Sequence, residues 1–162
     1  LNARDYGAAA LAGFIGGNVS SFIKWGTEIP FPPRAPDRPL PPLEMLDSIG
    51  IDAQQLTYEY SQHVINYGSG LIHHGFSIVF AMLYCLLVIR YPRAALWQGV
   101  GFGLLVTVGF HGVILPVFHW APPLWDLPPE EWMSETVGHL LWMWVIEVIR
   151  RDLLQRWLPH LK

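Results

Sequence analysis

Charge is what this chain has least of. Asp, Glu, Lys and Arg make up 14% of its 162 residues, 13 acids against 10 bases, where a soluble domain carries roughly 25%. So little charge cannot clothe the surface of an ordinary soluble enzyme, and a net charge of -3 offers nothing to a nucleic acid. A single cysteine, Cys85, excludes an internal disulfide framework and a paired-cysteine metal motif. No nucleophile elbow, phosphate loop or His-Glu-x-x-His motif is present either, so no catalytic activity is expected.

Apolar residues fill the gap, at 52% of the chain, with eight Trp, six Tyr and eight Phe. They fall in long runs free of Asp, Glu, Lys and Arg: Tyr6 to Ile23, Tyr60 to Ile89 and Ala94 to Trp125. A bilayer core needs about 20 such residues in helix. A fourth run, Trp132 to Ile149, is weaker because it carries Glu135 and Glu147. Charge placement argues for it nonetheless. With four crossings, seven of the Lys and Arg residues lie on the side of Arg4, the Arg90/Arg93 turn and the C-terminal tail, and three (Lys24, Arg34, Arg38) on the other. That is the asymmetry of the positive-inside rule. Trp25, Trp120, Trp125 and Trp132 then sit at outer span ends, and Trp97 and Trp157 at inner ends, where an apolar ring with one N–H is best placed.

The expectation is therefore an all-α integral membrane protein, one domain over 1–162, folded as a four-helix bundle. Its spans run roughly over 6–24, 62–90, 94–117 and 130–150, with an outer loop over 25–61 and both termini cytoplasmic. The loop opens with Pro30-Phe31-Pro32-Pro33-Arg34-Ala35-Pro36-Asp37-Arg38-Pro39-Leu40-Pro41-Pro42, a stiff extracytoplasmic strap because repeated proline blocks helix. Leu43 to Ile49 suits a short interfacial helix. Asp52, with Gln55 three residues on, looks like the start of the second long helix. Gly13-x-x-x-Gly17 and Gly99-x-x-x-Gly103 allow close helix approach, within the bundle or between copies.

Polar groups in hydrocarbon are costly, so each requires an account. His63, Asn66, Gly70, His73 and Ser77 follow steps of three and four and would line one face of the second helix. Glu135 and His139 are four apart and adjacent on the fourth. Counted inward at about 1.5 Å per residue, His111 and His139 reach similar depths in the outer half. The candidate site is thus a polar intramembrane cluster of His63, Asn66, His73, His111, Glu135 and His139. Three chemistries fit it. The groups could hydrogen-bond one another and fix helix register. His63, His73, His111, Glu135 and His139 could ligate a metal ion, or two histidines a haem b. Or histidines beside a carboxylate could respond to pH or relay protons. The remaining polar residues have plainer readings: His119 and His160 solvated, Glu130 and Glu131 a helix start, Glu147 paired with Arg150 or Arg151, and Cys85 inert.

The stretch Val19-Ser20-Ser21-Phe22-Ile23-Lys24-Trp25-Gly26-Thr27-Glu28-Ile29-Pro30-Phe31-Pro32-Pro33-Arg34 resembles the YagU family of bacterial inner-membrane proteins. So do Ser134-Glu135-Thr136-Val137-Gly138-His139-Leu140-Leu141-Trp142 and Ile146-Glu147-Val148-Ile149-Arg150-Arg151-Asp152-Leu153. The likeness runs from about Tyr6 to Arg156. It implies a multi-span inner-membrane protein without an assigned activity, with counterparts of all six cluster residues but not of His74 or His119; the role expected for this chain is accessory or stress-related. The connection between the first two spans is shorter here than in familiar members. The bilayer is the expected partner, with self-association or membership of a larger membrane complex suggested by small size and glycine spacing.

Overall fold

The computed structural model describes residues 1–34 and 38–161; Ala35-Pro36-Asp37 of the proline-rich stretch and Lys162 lie outside the described residues. Helix α1, Ala3–Glu28, is started by a reciprocal cap: Asn2 Oδ1 accepts from the Asp5 N–H at 3.1 Å, and Asp5 Oδ2 from the Asn2 N–H at 2.8 Å. A short helix α2, Pro41–Ser48, follows the strap with proline in its first turn, where the missing N–H costs nothing.

The chain then departs from expectation. Asp52 does cap, accepting from the Gln54 N–H and the Gln55 side chain, but only a single 3₁₀ turn, Ala53–Gln55, results. Beyond it an antiparallel hairpin pairs β1, Thr57–Tyr60, with β2, His63–Asn66, in the register Thr57↔Asn66 to Tyr60↔His63. The reason is local. Thr57, Tyr58, Tyr60, Val64 and Ile65 are β-branched or aromatic, and Ser61 and Gln62 take φ of 50° and 65°, the left-handed pair a two-residue hairpin turn requires. The second long helix, α3, Tyr67–Arg90, starts five residues later than the expected span, with Asn66 as its cap.

Helix α4 spans Val100–Val117, and helix α5 spans Pro129–Trp157. Before α4, Gly99 has φ of +86°, and a Cβ there would lie 3.1 Å from the Met143 carbonyl oxygen. Within α4, residues Phe110–Ile114 widen into a π turn just ahead of Pro116, which has no N–H to offer a regular turn. Helix α1 lies between α3 and α5, and α4 packs on α5. The shared core holds Ala9, Ala12, Ala81, Tyr84, Trp142, Met143 and Ile146.

Both glycine spacings act inside this packing. A Cβ on Gly13 would stand 2.5 Å from Met82 Cα, and one on Gly17 2.6 Å from Ile78 Cα. A Cβ on Gly103 would stand 2.9 Å from the His139 carbonyl oxygen. The outer faces are apolar instead: Leu11, Phe14, Phe22, Leu71, Val79, Leu83, Leu105 and Val113 are all exposed. Water would penalise such faces and lipid would not. Among the described residues three helices, α1, α3 and α4, are long and apolar enough to cross a membrane.

Candidate functional site

The site lies where α1 ends and α5 begins. Lys24, one turn before the end of α1, is buried; its ammonium donates to Glu28 Oε1 at 2.7 Å and to Glu135 Oε2 at 3.2 Å. Arg34, in the proline-rich connection, donates from Nη2 to Glu135 Oε1 at 2.7 Å, and its Nε faces Glu131 Oε1 at 3.4 Å. Arg38 donates to the other oxygen of Glu131. Ser134 donates to the Phe31 carbonyl oxygen at 2.5 Å, fastening the same connection to the same helix turn. Three cations and three carboxylates thus neutralise one another, and Glu131 and Glu135 are both buried. Breaking such a network strands a buried charge, whereas the intact network is balanced.

Two histidines flank Glu135. His111 Nε2, on the π turn of α4, lies 3.6 Å from Glu135 Oε2. His139 Nδ1 lies 2.7 Å from the Glu135 carbonyl oxygen one turn back. A carbonyl can only accept, so that nitrogen carries the proton. The two rings meet edge to face with centroids 5.5 Å apart. His111 Nδ1 is buried and has no hydrogen-bond partner among the described residues. His73 lines the same cavity as this pair.

Of the six cluster residues read from sequence, the fold therefore gathers His111, Glu135 and His139, with His73 nearby. His63 stands exposed on β2, because the hairpin replaces the helical turn that would have carried it inward. Asn66 works as a cap, accepting from the Ser69 N–H and donating to the Ala53 carbonyl oxygen. Glu131, expected as part of a helix start, also takes Arg34 and Arg38, and Lys24 reaches Glu135, 111 residues away. The available signal is Glu131 and Glu135, four apart on one helix face, and the three nearby cations Lys24, Arg34 and Arg38 at the end of α1 and in the connection after it.

Three further polar sets tie helices together. Trp142 Nε1 donates to Ser77 Oγ at 2.7 Å, and Ser77 donates to the Gly17 carbonyl oxygen at 2.6 Å. Tyr84 donates to Glu147, which also takes two bonds from Arg150. His74 bridges Ser21 and Asn18 of α1 at 2.6 and 2.8 Å.

As a metal centre, the ligating atoms of His111, Glu135 and His139 lie within 4.8 Å of one another. Both Glu135 oxygens are already held by Lys24 and Arg34, so a cation would have to displace an ammonium beside it. The direct contact of the two imidazole rings leaves no slot for a porphyrin between them. The arrangement suits charge balance and hydrogen bonding better than cation binding.

Apolar helices with lipid-type outer faces and buried, paired charge define the class, a helical integral membrane protein. Residues 18–148 match the family described as "Protein of unknown function (DUF1440)", and the chain belongs to that family. It is 40% identical over 181 residues to the inner membrane protein YagU of Escherichia coli (strain K12), a match covering 96% of this chain and 88% of that protein. No solved structure matches it significantly.

Proposed function

We propose that the chain is a non-catalytic accessory or stress-related protein of the bacterial inner membrane, a four-span bundle whose ionic cluster has a structural task. That task is to fasten the extracytoplasmic connection to the outer ends of α1 and α5. The observation that carries this reading is Glu135, buried in α5 and bonded to both Lys24 of α1 and Arg34 of the connection. The charges are matched one for one, and the connection itself supplies two of the cations.

A fourth crossing by α5 is supported by length and by the chain ends. At 29 residues α5 is about 44 Å long at 1.5 Å per residue, more than a bilayer core. His160, just beyond it, contacts Asp5 at the start of α1 at 3.0 Å, which brings the two termini to one end. The seven-to-three division of Lys and Arg makes that end cytoplasmic. Fusions to the C-terminus test this. Green fluorescent protein should fluoresce there and alkaline phosphatase stay inactive; active phosphatase would remove the fourth crossing.

The structural reading also expects protein purified in mild detergent to contain no stoichiometric metal and no Soret band. Elemental analysis and an absorption spectrum check this. One equivalent of zinc, iron or copper, lost in His111→Ala, would transfer the site to metal binding. Because the glycine spacings are occupied by internal packing, they supply no argument for self-association.

A further inference from the structure

Next to the ionic cluster lies a cavity of about 390 Å³, within the size range of small-molecule sites. Its walls are mainly apolar, with Phe76 and Phe80 from α3, Phe110 and Leu115 from α4, and Trp142 from α5. Helices α3 and α4 meet through aromatic rings rather than by close backbone approach: Phe110 lies 4.7 Å from Phe76 and 5.2 Å from Phe80, centroid to centroid. Leu71, Gly75 and Val79 line the cavity too and are exposed, so it has a rim on the apolar outer face. Its polar end is lined by His111, His139 and Glu135 together with Lys24 and Arg34.

The polar end says what would be recognised there. Lys24, Arg34 and Arg38 are balanced by Glu28, Glu131 and Glu135, so the surroundings call for neither an anion nor a cation. His139 carries its proton on Nδ1, which leaves Nε2 of the neutral ring as an acceptor. His111 Nε2 lies 3.6 Å from the Glu135 carboxylate, which favours the proton on that edge and makes Nδ1 an acceptor, and Nδ1 has no partner among the described residues. His111 is 6% exposed, so bulk water does not serve that nitrogen. His111 Nδ1, a buried acceptor without a donor among the described residues, and His139 Nε2 beside it in an apolar cavity with a lipid-side rim are complementary to a hydroxyl on an alkyl chain.

We infer that this cavity binds a single-chain, uncharged amphiphile from the bilayer, its hydroxyl hydrogen-bonded to the His111–His139 pair and its chain lying between α3 and α4. The inference needs α3 and α4 to lie in the membrane and does not depend on a fourth crossing or on the accessory role. Its failure is therefore separable from that of the topology.

Gly75 supplies the test. A Cβ there meets no atom within 4 Å, so Gly75→Phe can narrow the rim without a clash, and replacing a helix-interior glycine favours the fold. Full-length protein in nanodiscs is photolabelled with hexadecanol bearing a diazirine on its chain. Labelling is expected to saturate, to map to α3 and α4, and to be competed by unlabelled hexadecanol. Gly75→Phe should weaken it about tenfold with a melting temperature no lower than that of the wild type, and His111→Phe should weaken it similarly. Non-saturable labelling, or labelling untouched by Gly75→Phe, would overturn the site. Competition by palmitate or by hexadecyltrimethylammonium as strong as that by hexadecanol would overturn the uncharged head group.

Discussion

Glu135→Leu should destabilise the protein by about 3–5 kcal/mol, the cost of leaving a buried charge without its partner. Lys24 would keep Glu28, and Arg34 would keep only the longer contact to Glu131, so most of the loss falls on the connection after α1. Thermal unfolding in detergent, followed by tryptophan fluorescence, measures it. Glu135→Gln retains acceptor and shape while dropping the charge, and should lose less. The double replacement Lys24→Met with Glu135→Leu removes charge from both sides and should recover part of the deficit, since apolar replacement of a whole buried pair is often tolerated. A Glu135→Leu protein that melts with the wild type would show that the cluster does not hold the fold together.

The second large effect belongs to Gly17. Its missing Cβ would sit 2.6 Å from Ile78 Cα and 2.8 Å from the Ser77 carbonyl oxygen, and backbone atoms cannot turn aside as a side-chain end can. Gly17→Ala must push α1 away from α3 at a cost of about 1–3 kcal/mol or more. The displacement would also stretch the Ser77 bond to the Gly17 carbonyl, and Ser77 is the acceptor for Trp142. Gly17→Leu should yield little folded protein. Gly7→Ala is the control: nothing lies within 4 Å of an added Cβ there, so the change should be neutral or stabilising by about 0.5–1 kcal/mol. Melting temperatures of the three variants decide the matter. Equal stability of Gly17→Ala and Gly7→Ala would mean that α1 and α3 are not in the close contact described.

How much of this was legible beforehand differs from element to element. The interiors of α1, α3 and α4 follow from apolar runs long enough to cross a bilayer core, while α5 follows from a weaker run that carries Glu135 and Glu147. The start of α3 did not follow, because a run without charge looks the same in a strand as in a helix, and the turn at Ser61-Gln62 carries neither of the usual glycine or proline markers. Helical spacing places His63 in the cluster, but the residue stands on β2, four residues ahead of the first residue of α3. The pair Glu135 and His139 was legible because one helix turn is local. Their partners were not: Arg34 lies 101 residues from Glu135, and Arg38 lies 93 from Glu131.

By itself, the amino-acid sequence determined the medium and the building blocks. Scarce charge and long apolar runs require lipid around most of the surface, and the four-residue spacing places Glu135 beside His139. Only the tertiary structure decided which buried polar group answers which. Helical periodicity defines the faces of each helix but leaves its rotation against the next one open. Close packing sets that rotation, at Gly13 and Gly17 against α3 and at Gly103 against α5. Once it is set, Lys24, Arg34 and Glu135 meet, and His111 and His139 come to stand at the end of an apolar cavity.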